Sequence, residues 1–167
     1  LRSSVAFAGN DHRLGAQEAP PAIISIFLGS ELEGIIDAIV GGSGYSEVEH
    51  KSLRIGVDVL PAIPQDTTDR NRTSPVAFTG NKFEFRMPGS SQSIAGPATI
   101  LNTIMAEELE QFYNTLKDAE DFNTQLHQLI RDTFIAHRRI IFNGNGYEDA
   151  WVKEAERRGL ANLKNAA

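Results

Sequence analysis

Residues 98–116 read ATILNTIMAEELEQFYNTL, and the spacing of their apolar side chains points to the class of fold. These side chains recur every three or four residues, which is the spacing of one face of an α-helix. The stripe consists of Ile100, Leu101, Ile104, Met105, Leu109, Phe112, Tyr113 and Leu116. The stretch therefore predicts a long amphipathic helix.

Two further helical patterns follow this stretch. The second stripe comprises Phe122, Leu126, Leu129, Ile130, Thr133 and Phe134. Tyr147, Trp151 and Ala155 begin a third stripe, and Gly159 would cap that helix because glycine readily adopts the left-handed conformation of a helix end. The chain is therefore predicted to be mostly helical after residue 97, with 98–167 as its helical part.

Alternating patterns upstream predict strands. Apolar and polar side chains alternate along 53–59, which predicts a half-buried strand over 54–60 that Pro61 and Pro64 end. A second alternation predicts a strand over 81–87. The predicted class is α+β: a few antiparallel strands packed with several helices.

A strongly apolar segment follows Pro20 and Pro21. Its apolar residues recur at helical spacing, and prolines suit the first turn of a helix, so a helix is predicted over 22–40. The glycine-rich tip that begins at Gly41 would end it.

Composition limits the classes of function. The chain has 167 residues, of which 41% are apolar and 23% are charged, so we expect one globular domain. Its net charge of −6 argues against a nucleic-acid or anionic-membrane partner, and the lack of cysteine excludes thiolate chemistry. No apolar run reaches the roughly 18 residues of a membrane span. We expect a soluble, cytoplasmic protein.

The first candidate for chemistry is GNDHRLGAQEAPPAI, residues 9–23. Glu18 could be a capping acid at a helix start, or a general base on a mobile loop. In the second case Arg13 would orient an anionic substrate. His12 has no second histidine at metal-ligand spacing, so we interpret it as structural or solvent-facing.

The second candidate is Arg70-Asn71-Arg72. The two arginines could be a solvated cluster bridged to Asp66 and Asp69. Alternatively, their guanidinium groups could grip phosphate or carboxylate oxygens in a bidentate manner. The residues alone leave both interpretations open.

The third candidate is the face of the predicted strand that carries Lys82, Glu84 and Arg86, which spans roughly 13 Å. A glutamate between two cations is commonly part of a cross-strand salt bridge. In a phosphoryl-transfer site the carboxylate would hold Mg²⁺, the lysine would contact nucleotide phosphates and the arginine would clamp a carboxylate. One carboxylate cannot form such a metal site by itself.

Two of these stretches, NDHRLGAQEAPPAI and DRNRTSPVAFTGNKFEFRMPGSS, resemble the catalytic domain of glutamine synthetase, in particular its long type III bacterial form. RIIFNGNGYEDAWVKEAERRGLANL at 139–163 is similar to that form as well. The resemblance implies that 1–167 is a C-terminal part of the catalytic domain, with 22–64 as an insertion specific to the type. It also implies an ATP-dependent joining of glutamate and ammonia through a γ-glutamyl phosphate, with Mg²⁺ or Mn²⁺, in a homo-oligomer.

The resemblance implies a role for each candidate residue. Glu18 matches the loop glutamate that closes the site and takes a proton from ammonium, and Arg72 shares the catalytic role. Arg13, Arg72 and Arg86 match residues that bind substrate glutamate. Lys82 and Arg70 lie where the family contacts ATP, and Glu84 matches a metal ligand.

The chain also departs from the family pattern. The shorter forms have a further phosphate-binding arginine after the RNR segment, where this chain reads Pro75-Val76-Ala77. The upstream strands that carry most of the metal-binding glutamates are absent, so we expect the isolated chain to be inactive. A related protein with another amine substrate, or with a regulatory or interaction role, is the alternative.

Overall fold

The computed structural model describes residues 1–42, 52–53, 63–64 and 73–165. Its helices are α1 (Ala8–Arg13), α2 (Ser30–Gly41), α3 (Ala95–Leu116), α4 (Phe122–His137) and α5 (Asp149–Arg157), and short 3-10 helices span Arg2–Val5 and Arg138–Ile140. Its strands are β1 (Ile26–Phe27), β2 (Ser52–Leu53), β3 (Ile63–Pro64), β4 (Val76–Phe78) and β5 (Phe83–Phe85). The predicted α+β class is confirmed, as is the largely helical character after residue 97.

The three predicted C-terminal helices form where the apolar spacing places them. At the start of α4, Asp121 accepts hydrogen bonds from the Thr124 backbone N–H at 3.2 Å and from the Thr124 hydroxyl at 2.6 Å. Gly159 follows α5 with a φ of 69°. The backbone N–H of Leu160 bonds to the Ala155 carbonyl at 2.8 Å, which is the hydrogen bond of a Schellman cap. The predicted role of Gly159 is therefore confirmed.

The helix predicted over 22–40 is wrong in its first half. The segment up to Leu28 is extended, and α2 begins only at Ser30, after Gly29 with a φ of 83°. Residues 21–23, Ser25, Phe27 and Leu28 are all buried. A nearly continuous apolar run is typical of a strand covered on both faces, and its periodicity alone does not separate it from a buried helix. Gly42 ends α2 in the left-handed conformation, as the glycine-rich tip predicted.

The sheet is mixed, whereas only antiparallel pairing was predicted. β4 pairs antiparallel with β5, with Ala77 opposite Glu84, and parallel with β1, with Ile26 opposite Val76. The predicted strand over 81–87 is present as β5. β2 and β3 pair antiparallel, but the predicted strand over 54–60 lies outside the described residues.

Three small apolar clusters form the core. The first contains Val5, Leu14, Ala19, Ala22 and Met87. The second contains Ile23, Trp151 and Ala155, and the third contains Leu28, Ile36 and Ile141. The first cluster lies beneath the loop that follows α1, so the N-terminal loop and the end of β5 share one core.

The apolar stripe of α3 lies mostly outside this core. Only Pro97 is buried in α3, while Met105, Leu109 and Tyr113 are 56%, 57% and 66% exposed. No helix in the described ranges combines the length and apolarity needed to cross a bilayer.

Candidate active site

Arg13 joins the first candidate motif to the third. It lies in the last turn of α1, and its Nη2 donates to the Met87 carbonyl at 2.8 Å. Its Nε donates to Asn10 Oδ1 at 3.1 Å. The Arg13 guanidinium is therefore held one residue beyond Arg86, although the two arginines are far apart in sequence.

Asn10 stabilises the contact between Arg13 and Met87. Its side chain is 1% exposed, and its Nδ2 donates to the carbonyls of Val5 at 2.8 Å and Met87 at 3.1 Å. One amide therefore ties α1 to the chain on both sides and also accepts from Arg13. Sequence reasoning missed Asn10, because an asparagine in a loop-like GNDH run gives no signal of burial.

Replacing Asn10 by alanine is expected to destabilise the fold by about 1–3 kcal/mol, because the Val5 and Met87 carbonyls would lose a buried donor. Urea unfolding followed by circular dichroism measures the loss. Asn102→Ala, on the exposed face of α3, is the matched control and should leave the midpoint nearly unchanged. Equal midpoints for the two variants would contradict the anchoring role of Asn10.

Glu18 lies on a short loop whose two ends are joined by backbone hydrogen bonds. The backbone N–H of Gly15, whose φ is 81°, donates to the carbonyls of Ala19 at 3.3 Å and Pro20 at 3.0 Å. Leu14 and Ala19 are buried in the first core cluster. The two ends of the loop are therefore fixed, while residues 15–18 between them remain exposed.

The Glu18 side chain is exposed, and within the described ranges its carboxylate makes no hydrogen bond or ion pair. Its backbone carbonyl accepts from the Tyr147 hydroxyl at 3.5 Å. Tyr147 belongs to the turn before α5, so the helical part also contacts this loop. A carboxylate that faces solvent on an anchored loop is available to a ligand.

The third motif lies at and around β5. Lys82 is exposed just before the strand, and Glu84 is half-buried within it, opposite Ala77. Phe85 and Met87 pack on the first core cluster as their alternation predicts. Phe83 does not, because it is 60% exposed and contacts the Phe78 ring with a centroid distance of 5.1 Å.

Arg86 is half-buried just after β5 and is held by backbone atoms of the β4 side. Its Nη2 donates to the Ser74 carbonyl at 2.7 Å, and its own N–H bonds to the Pro75 carbonyl at 2.8 Å. The position of the guanidinium is therefore set by the strand pairing.

Ser74 connects three segments of the chain. Its hydroxyl accepts from the Ser25 hydroxyl at 2.9 Å and donates to the Phe142 carbonyl at 3.0 Å. Both serines are 1% exposed. A serine inside the apolar run 22–28 was the available sequence signal for this buried pair, since a buried hydroxyl needs a partner.

The second motif, Arg70-Asn71-Arg72, is not among the described residues. Arg70 and Arg72 lie outside the described residues, and the first described residue after them, Thr73, is 5% exposed. Ala77, in the segment Pro75-Val76-Ala77 that follows, is 0% exposed in β4.

The described residues do not fit a complete metal site. No group of three or more metal-ligating side chains occurs in the described ranges. Glu84 can offer one carboxylate, whereas Mg²⁺ in proteins prefers an octahedral shell of oxygen ligands. No step through a metal ion follows from these residues alone.

Comparisons with known proteins give consistent results. A family model described as the glutamine synthetase C-terminal domain matches residues 125–167. A type-3 glutamine synthetase of Dictyostelium discoideum is 50% identical over 167 residues. Glutamine synthetases of Bacteroides fragilis (strain YCH46) and Butyrivibrio fibrisolvens are each 45% identical, over 170 and 167 residues. Each alignment covers 98% of this chain but 23% of the relative.

Proposed function

Since the chain belongs to the glutamine synthetase family and spans 23% of the length of the relatives it matches, we propose that it forms part of an ATP-dependent ligase. The ligase would join glutamate and ammonia through a γ-glutamyl phosphate. The family assignment confirms the resemblance drawn from the motifs. The observation that carries the proposal is the contact of Arg13 with Met87, which brings the two longest motifs together.

The fixed arginines support glutamate binding. Arg13 and Arg86 are each oriented by backbone carbonyls, so their guanidinium groups need little reorganisation to bind an anion. Arg72 would act with them at the end of the active site that binds glutamate and the transferred phosphate. Phosphorylating a carboxylate brings two anions together, and such cations stabilise the charge of the transition state.

Glu18 would act on the ammonium side. An exposed carboxylate can attract ammonium and then accept its proton when ammonia attacks the acyl phosphate. The acyl phosphate must be shielded from water, and a loop closing over the site would do this. The hydrogen bonds of Gly15 would keep the two ends of the loop in place while the residues between them move.

The nucleotide and the metal ion would involve residues around β5. Lys82 and Arg70 would contact ATP, and Glu84 would supply one oxygen to Mg²⁺ or Mn²⁺. Such an ion, when bound, neutralises phosphate charge. The remaining ligands would come from outside the described residues. The protein is also proposed to be a cytoplasmic homo-oligomer, as the family resemblance implies.

Two alternatives remain: another amine substrate, or a regulatory or interaction role. The exposed apolar stripe of α3 favours the interaction role. Under that alternative, substitutions at the motif residues would leave turnover intact and change assembly.

A coupled assay of ADP release tests the proposal. The full-length protein that carries this chain should release ADP only with glutamate, ammonium, ATP and Mg²⁺ together. The isolated 167 residues should show no turnover above the blank, because the single carboxylate of Glu84 cannot by itself form the proposed metal site. Full-length turnover with methylamine but not ammonium would favour the first alternative. Clear turnover by the isolated chain would contradict the expected inactivity.

A further inference from the structure

A cavity lined by arginines contains none of the three candidate motifs for chemistry, although four of its residues lie in the stretch 139–163. It has a volume of about 310 Å³ and is bordered by Glu33 of α2, the 3-10 helix Arg138–Ile140 and the end of α5. Its lining residues are Glu33, Arg138, Arg139, Ile141, Arg157 and Arg158. None of them belongs to the candidate active site. Four arginines therefore line one opening in a chain whose net charge is −6.

Carboxylates neutralise this cluster only in part. Arg138 pairs with Asp37 and lies 3.9 Å from Glu33. Arg157 and Arg158 share one carboxylate, that of Glu154, at 2.7 and 2.6 Å. Those hydrogen bonds lower the pKa of Glu154 to about 2, so this acid is ionised at neutral pH. Four cations thus face three carboxylates.

Arg139 is the guanidinium without a counterion. Within the described ranges its side chain makes no hydrogen bond or ion pair. Its Nη1 lies 3.6 Å from the point where a Cβ would stand on Gly159, which places it over the end of α5. Arg139 therefore has its donors available beside the arginines of α5.

The neighbouring cations are held in place before any ligand arrives. Arg158 Nη1 donates to the Ile141 carbonyl at 2.9 Å, and its guanidinium lies 5.5 Å from the centre of the Trp151 ring. Arg138 is held by its pair with Asp37. Side chains that are already ordered lose less conformational entropy when they bind a ligand.

We propose that this cavity binds a small phosphate-bearing anion with at least two negative charges. A phosphate group presents oxygens in several directions, which suits guanidinium groups that approach from different elements. The volume lies at the small end of ligand pockets, so it fits a phosphate ester or pyrophosphate rather than a polymer. The ligand would bridge the 3-10 helix and the end of α5.

Calorimetric titration of the full-length protein with pyrophosphate, at constant ionic strength, tests the proposal. Arg139→Gln should weaken binding by about 10- to 100-fold, since it removes charge-assisted hydrogen bonds. Arg139→Lys should weaken pyrophosphate binding less, because the positive charge remains although the bidentate geometry of the guanidinium group is lost. Lys153→Gln removes one positive charge from α5 outside the cavity and should change affinity less than about twofold.

Several results would overturn the proposal. These are no pyrophosphate binding at millimolar concentration, affinity unchanged in Arg139→Gln, or the same loss in Lys153→Gln as in Arg139→Gln. Glutarate serves as the dicarboxylate comparison. Equal affinity for glutarate, lost equally in Arg139→Gln, would overturn the assignment to phosphate. Because Arg139 is exposed, the thermal midpoint of Arg139→Gln should match that of the parent, which excludes misfolding.

Discussion

Glu18→Gln is expected to lower kcat of the proposed full-length ligase by about 10²–10⁴-fold, the usual contribution of a general base. The amide has nearly the shape of the carboxylate but can neither attract ammonium by charge nor accept its proton. Because the Glu18 side chain is exposed and its carboxylate makes no hydrogen bond or ion pair in the described ranges, the fold should be unaffected. The loss should therefore appear in turnover and leave the thermal midpoint unchanged.

The measurement is initial-rate kinetics of ADP release, with ammonium and glutamate varied separately. Glu31→Gln provides a matched control, since Glu31 is also exposed and lies in the first turn of α2, away from the loop. Its kcat should stay within about twofold of the parent value. Unchanged turnover in Glu18→Gln would rule out the role proposed for this carboxylate.

Trp151→Ala is expected to destabilise the protein by about 3–5 kcal/mol, the usual range for removing a large buried aromatic side chain. Trp151 is 3% exposed and stacks on Phe142 with a centroid distance of 3.7 Å. It also packs with Ile23 and Ala155 in the second core cluster. The truncation would open a cavity at the point where α5 meets the extended N-terminal segment.

Urea unfolding of the 167-residue chain, monitored by circular dichroism, measures this loss. Tyr113→Ala on α3 is the control, because Tyr113 is 66% exposed and its truncation should change the free energy of unfolding by no more than about 0.5 kcal/mol. If Trp151→Ala cost no more than Tyr113→Ala, the second cluster would not be a core.

The helices of the C-terminal part were predictable because their signals are local. The apolar spacing of 98–116 and the glycine at 159 act within a few residues, and the helix and the cap that they predict are both confirmed. The helix predicted over 22–28 is wrong because an apolar run carries no information about which elements cover it. Its strand character comes from β4 on one side and Ile141 on the other, which are remote in sequence.

The candidate site divides in the same way. The residues that carry charge, such as Arg13, Glu18 and Glu84, were found from the motifs and the family resemblance. Asn10, which positions Arg13, and Ser74, whose carbonyl positions Arg86, were not predicted, because the burial of a polar residue depends on partners that are distant in sequence. The Arg13 contact with the Met87 carbonyl depends on the same long-range packing.

The pairing of β1 with distant segments has a consequence for the order of folding. The end of α3 and the start of α4 meet through local contacts, such as Gln125 Nε2 to the Thr115 carbonyl at 3.1 Å. The neighbours of β1 lie far away in sequence, and the backbone N–H of Leu28 bonds to Asn143 Oδ1 across 115 residues. Closing such long loops costs chain entropy before the contacts form. The helical hairpin can therefore assemble early, whereas the sheet beside the candidate site should be among the last parts of the chain to reach its native arrangement.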